Sequence, residues 1–323
     1  MQTSGPKSRT ETVSTVFAIT VVLALTAACI FFSDLMLTDL QKGTLNTLLI
    51  VCTLSIAYCF IVGELTQNYS QMDKLWSILP IVYVWIIAVR GGMKTRLVAY
   101  ALIVTVWGIR LTLNFARKGA YSLKFWTGVE DYRWSIVRSS PVFERRILWT
   151  LFDLLFISTY QNLLVLAICL PALACMESQA SLGFFDAVAI LTAVLFLLLE
   201  TVSDEYQWKF HQTKKKLLAQ GTDLADLPKP YDLGFNTFGP WKRMRHPNYL
   251  GEQGIWMCLY LFTIASKVVR YGFLHWTMTG PLLLILLFMG SSMLGERISS
   301  SKYPMYRDYV QQVHKYLPSR RYD

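Results

Sequence analysis

The densest chemistry lies in KRMRHPNYLGEQGIWMCLYLF, Lys242–Phe262, where a polar run meets an apolar one. Arg243, Arg245 and His246 lead through Pro247 to Asn248, Tyr249 and Glu252. His246 precedes a proline and is biased to extended backbone, and Pro247 suits a first helical turn. A helix starting there directs its unsatisfied N–H groups and positive dipole end at whatever lies before it. With Arg243 and Arg245 alongside, that end suits a phosphate or pyrophosphate. Asn248 and Glu252 lie four apart and share a face, with Trp256 one turn on. Gly251 and Gly254 admit a neighbouring helix or a flat ligand. The bland alternative, a helix start with snorkelling arginines, leaves Glu252 unexplained, because an ionisable group inside a span is costly and usually functional.

Three further clusters carry polar groups at helical spacing. In LLLETVSDEYQWKFHQTKKK, Glu200 and Asp204 lie four apart, Gln207 and His211 continue the face, and Lys214–Lys216 follow. Carboxylates suit ribose hydroxyls, and lysines suit the 2′-phosphate that separates NADPH from NADH. A helix leaving a membrane with interfacial charges explains the same run. In RLTLNFARKGAY, Arg110 and Asn114 share a face, and EDYRW (Glu130–Trp134) follows as an amphipathic loop. An arginine in a span needs a partner, a cavity or an anion. The tail GERISSSKYPMYRDYVQQVHKYLP alternates aromatic and basic residues, among them Lys302, Tyr303 and Tyr306. These suit either an adenine and its phosphates or anionic lipid heads.

The elements that position these residues follow from composition. The chain of 323 residues is 54% hydrophobic and only 16% charged, well under the roughly 25% charge of an average soluble domain. Apolar runs predict spans at 16–32, 45–62, 75–89, 97–115, 147–174, 184–202, 255–266 and 273–294. The expected fold is therefore an all-α, polytopic membrane bundle of about seven to eight transmembrane helices. Most of the 31 basic residues fall in 116–146, 205–253 and the tail from Glu296. An eight-span topology puts all three stretches, with Lys7 and Arg9, on the cytoplasmic side. Arg90, Lys94 and Arg96 fall on the opposite side and oppose that topology. The net charge of +10 thus reads as topology rather than nucleic-acid binding. Six cysteines without a C-x-x-C pair read as small buried hydrophobes. Four histidines lack H-x-x-x-H spacing, so no metal site is expected. Breakers from Gly221 to Pro240 mark Gln207–Trp241 as the expected soluble portion.

Taken together, RHPNYLGE, Gln161-Asn162, EDYRW and GE…KYPMYRDY resemble a domain-of-unknown-function family grouped with the steroid 5α-reductase C-terminal domain. The resemblance runs from about Gln67 to Pro318. It implies N-terminal transmembrane helices over 1–66 and a membrane catalytic domain over 67–323. It also implies a multi-pass protein of the endoplasmic reticulum or a bacterial inner membrane, binding NADPH from the cytosolic side and reducing a carbon–carbon double bond of a steroid or other lipid enone. Carried onto this chain, Asn248 and Glu252 grip the cofactor, with Tyr249, His246 and Arg245 beside them. Glu200, Asp204 and His211 contact the nucleotide, and Arg110 and Asn114 lie beside the nicotinamide. Lys302, Tyr303 and Tyr306 are the remaining cofactor-binding candidates, suited to an adenine and its phosphates. The catalytic acid departs from the reductase pattern: helix spacing puts Asp73 at the acid position, and Trp107 stands where a tyrosine is expected. Tyr83, Tyr69 and Glu64 are the other candidates. RHPNYLGE also resembles isoprenylcysteine and phospholipid methyltransferases, which use S-adenosylmethionine. A third reading is a non-catalytic sterol-binding protein.

Overall fold

A computed structural model describes residues 9–32, 36–269, 272–319 and 321–322. Lys7 and Arg320, two of the cations used for orientation above, lie outside these residues. The protein is all-helical. Helices α1 (Arg9–Phe31), α2 (Asp39–Thr66), α3 (Gln71–Leu75), α4 (Leu79–Arg90), α5 (Thr95–Ala116), α6 (Tyr132–Arg138) and α7 (Arg146–Phe152) are followed by a π-helical stretch, Asp153–Tyr160. Then come α8 (Gln161–Ala174), α9 (Phe184–Leu218), α10 (Pro247–Ala265), α11 (Thr279–Lys302) and α12 (Tyr306–Gln312). The chain divides into two compact units, the first of 1–25, 191–257 and 282–323, the second of 26–190 and 258–281.

Among the described residues, five helices are long and apolar enough to cross a membrane: Asp39–Thr66, Thr95–Ala116, Arg146–Ala174, Phe184–Leu218 and Trp276–Lys302. Val16–Phe31 and Leu79–Arg90 are shorter apolar helices. Large apolar side chains lie exposed at helical spacing, as with Leu102, Val106, Ile109 and Leu113 on α5. An exposed apolar stripe that long is the face a helix turns to acyl chains rather than to water.

Local signals set several helix ends. Thr38 and Gln41 form a reciprocal capping box at the start of α2, satisfying two otherwise orphaned backbone donors. Asp131 caps α6 through the Arg133 amide, and Pro247 is the first residue of α10, as its neighbours predicted. Helix α9 runs on to Leu218, just short of the first breaker at Gly221, and short 3-10 turns take over beyond it.

In the second unit the three cations that oppose the topology are consumed internally. Arg90 Nε donates to Thr44 Oγ1 at 2.9 Å, and Lys94 Nζ donates to the Ser178 carbonyl at 3.1 Å. Arg96 forms a bidentate pair with Asp186, at 2.7 and 2.9 Å, and also donates to Ser178 Oγ and the carbonyls of Ala180 and Ser181. Charges tied to the protein in this way are structural groups, and the positive-inside bias rests on the others.

Candidate functional site

In the first unit, α9 and α10 bring together the two polar faces predicted separately. Asn248 Nδ2 donates to Asp204 Oδ1 at 3.2 Å. Glu252 is buried and accepts from the Trp256 indole at 3.2 Å, one turn along the same helix. Glu200 is also buried. The glycines set this closeness: a Cβ on Gly251 would sit 2.6 Å from the Glu200 Cβ, and one on Gly254 would sit 2.4 Å from Phe196 Cδ1. No larger residue permits that approach. Asn248 Oδ1 is buried and makes no hydrogen bond to a described residue. Since the amide nitrogen is committed to Asp204, this oxygen remains as an acceptor for a ligand N–H or O–H. Further along α9, Gln207 Nε2 lies 3.0 Å from His211 Nε2.

Other residues expected at the cofactor have protein partners. Glu296 on α11 accepts from Arg245 Nε at 2.8 Å and from His246 Nε2 at 2.9 Å, with Lys315 Nζ at 3.6 Å. Arg245 also donates to the carbonyls of Val310 and Val313, so it ties the tail to the α10 entrance. The backbone repeats the tie: the Arg245 and His246 amides donate to the carbonyls of His314 and Lys315. Burial depresses the His246 pKa, the Glu296 hydrogen bond opposing it, so the ring is held neutral. It stacks on Tyr249 at 5.1 Å. Tyr303 and Tyr306 are buried in an aromatic cluster with Phe235, Tyr309 and Tyr322, and Gly234 packs against the Tyr303 ring with no room for a side chain. Lys214 donates to the Gly234 carbonyl at 2.6 Å. Lys302, by contrast, is exposed, as are Arg243, Lys215 and Lys216.

In the second unit, Asp73 and the EDYRW segment meet. Trp134 Nε1 donates to Asp73 Oδ2 at 2.7 Å. Burial and the neighbouring Asp131 raise the Asp73 pKa, while Arg133, paired with Asp131, pulls the other way. The segment 68–74 fastens this loop throughout: Asn68 and Gln71 donate to the carbonyls of Gly128 and Trp126, and the buried Lys74 to those of Phe125 and Thr127. Glu64 is partnered by Arg146 at 3.4 Å and Thr150 Oγ1 at 3.3 Å, and the Tyr69 hydroxyl lies 3.5 Å away. Tyr83 is wholly buried, with its hydroxyl beside Cys52. Asn114 accepts from Arg117 at 3.0 and 2.6 Å, and Arg110 lies half-buried one turn before it on α5.

Two polar features escaped the sequence reading. One is the Arg96–Asp186 pair. The other is Asp153 with Ser158, one turn from the Asn162 that the resemblance singled out, in the middle of an apolar run read as a plain span. A lone carboxylate inside such a run was itself a signal.

These features define an all-helical protein with helices long and apolar enough to cross a membrane, and a polar face where α9 meets α10. The chain belongs to the family described as Protein of unknown function (DUF1295), which matches residues 59–313. It is 34% identical over 266 residues to a fission yeast protein, "Uncharacterized protein C594.04c" of Schizosaccharomyces pombe, covering 78% of this chain and 73% of that one. No solved structure matches at a significant level.

Proposed function

We propose that the chain is a membrane-embedded, NADPH-dependent oxidoreductase that reduces a carbon–carbon double bond of a steroid or other lipid enone. One observation carries this reading: Asn248 is oriented by Asp204 where α9 and α10, each carrying a buried glutamate, meet, and its amide oxygen is left for a ligand. That donor and acceptor set fits a nicotinamide carboxamide and ribose hydroxyls, and the exposed Arg243, Lys215 and Lys216 suit the phosphates. NADPH supplies a hydride when bound. The chain's own contribution is to orient and to protonate. Asp204 fixes the Asn248 amide, and Glu200 and Glu252 accept hydroxyl protons in hydrogen bonds. Glu296 holds Arg245 and His246 so that the entrance to α10 keeps its shape. Asp73 is the candidate acid: its raised pKa favours the protonated form, which donates to a carbonyl oxygen. Counting α1, α4 and α10 with the five long helices makes an eight-span topology, with this site on the cytoplasmic face.

The test is thermal stabilisation of the detergent-purified chain by NADPH, NADH and S-adenosylmethionine, since a ligand of the native state raises the melting temperature by mass action. NADPH stabilises most, and Asn248→Ala and Glu252→Ala abolish the shift. Stabilisation by S-adenosylmethionine alone makes the chain a methyltransferase instead. Unchanged turnover in Asp73→Asn removes that residue from the acid's role.

A further inference from the structure

The second unit holds a buried polar cluster that the proposed function does not use. Ser55, Cys59 and Gly63, each four residues apart, lie buried along one face of α2. Asp153 and Ser158 of the π-helical stretch and Asn162 of α8 face them. A Cβ on Gly63 would lie 3.5 Å from Asp153 Oδ2, and Asn162 Nδ2 is 3.7 Å from Cys59 Sγ. Ser158 Oγ donates to Asp153 Oδ1 at 3.1 Å, and Asn162 Nδ2 to the Ser158 carbonyl at 2.7 Å. These bonds hold the polar side chains in place but leave atoms over. Asp153 Oδ2 and Asn162 Oδ1 are buried without a hydrogen-bond partner among the described residues. Asp153 is 1% exposed and Asn162 is fully enclosed. Such orphans are costly to bury, and two on neighbouring side chains point to a missing partner. The cluster also sits on a π-helical stretch inside an apolar span, where both the backbone irregularity and the carboxylate tend to mark function.

The chemistry of the missing partner follows from the atoms left over. Asn162 Oδ1 can only accept, and a carboxylate oxygen accepts too, so the partner must bring a donor. Leu54, Ile61, Leu155 and Leu163 are exposed on the same helices, so the surface from which it would enter is apolar. A hydroxyl crosses such surroundings at far lower cost than an ammonium group. We infer that this cluster binds the hydroxyl of a lipid alcohol, which donates to Asn162 Oδ1 or Asp153 Oδ2 and occupies the space beside Gly63. The inference stands on the second unit alone and does not rest on the nucleotide reading. An enone carbonyl, which only accepts, leaves Asn162 Oδ1 unpaired.

The experiment uses the full chain in lipid nanodiscs, without nucleotide, and hexadecanol carrying a photoreactive diazirine near its hydroxyl end. Cross-linked peptides are mapped by mass spectrometry, with hexadecanol, hexadecane and hexadecylamine as competitors. Labelling is expected on 52–63 and 153–163, displaced by hexadecanol and not by hexadecane. Gly63→Ala keeps every polar group and places its methyl in ordinary contact, 3.5 Å from Asp153 Oδ2 and 3.6 Å from Tyr69 Cδ1. The chain therefore still folds, and labelling falls roughly tenfold, as for loss of a buried hydrogen bond. Labelling elsewhere, equal displacement by hexadecane, or stronger displacement by hexadecylamine overturns the proposal. So does unchanged labelling in both Gly63→Ala and Asn162→Leu, which would mean that water alone fills the cluster. Because no nucleotide is present, failure here leaves the reductase reading standing, and failure of NADPH to stabilise the chain leaves this one.

Discussion

Glu296 and Asp153 are both carboxylates largely removed from solvent, yet their surroundings differ. Glu296 collects an arginine, a histidine and a lysine, and the arginine goes on to cap carbonyls of the tail. Asp153 has one serine hydroxyl on one oxygen and no hydrogen bond from a described residue on the other. A saturated cluster has its interaction energy already spent within the fold, and it acts as a fastening. An unsaturated one holds desolvated groups whose interactions await a partner. The Arg96–Asp186 pair belongs with Glu296; the Asn248 amide oxygen belongs with Asp153.

The comparison can be broken most directly at the saturated clusters. Arg96→Leu leaves Asp186 buried without its cation and should cost about 3–5 kcal/mol, read from the denaturation midpoint in detergent. Adding Asp186→Leu should recover much of that loss, since an apolar pair of similar size replaces the ion pair. A double variant no more stable than the single one would show that the arginine's carbonyl contacts dominate. Glu296→Gln should cost about 3 kcal/mol by leaving Arg245 and Lys315 underpaired. It should also expose the tail around Tyr306–Tyr322 to limited proteolysis, a readout that loss of ligand would not give.

His246 sharpens the same contrast through pH. Its pKa in the folded chain lies below the ordinary 6.5, so the unfolded chain binds the proton first as pH drops. Its contribution to stability is complete above 6.5 and is lost as pH falls through the folded value. Replacement by phenylalanine should flatten that acid limb of a melting-temperature profile. Trp134→Phe removes the indole donor to Asp73 and should cost about 1–2 kcal/mol. It should also raise the Asp73 pKa further, since a bond to the charged form is lost. At the other extreme, Asp153→Asn should change stability by less than about 1 kcal/mol, because no cation depends on that carboxylate. A loss as large as that of Glu296→Gln would abolish the distinction between the two carboxylates.

Much of the architecture was legible from residue order. The apolar runs located the long helices, and Pro247 marked the start of α10. The spacing of Glu200, Asp204, Asn248 and Glu252 assigned polar faces that do meet, with Gly251 and Gly254 at the point of closest approach. Less legible was which charges the protein consumes itself. Arg245 and His246 read as anion ligands beside a helix end, but their partner Glu296 lies about fifty residues on. Tyr303 and Tyr306 read as stacking surfaces and are core.

The sequence by itself determined that this is a helical protein of the membrane with polar faces on α9 and α10, because hydropathy and helical period are properties of neighbouring residues. Tertiary structure alone decided which polar groups are spent and which are left over, as at Arg96 and Asp186, ninety residues apart, and at Asp153 beside Gly63. Hydrogen bonds and buried ion pairs act over a few ångströms, and distance along the chain does not set that separation.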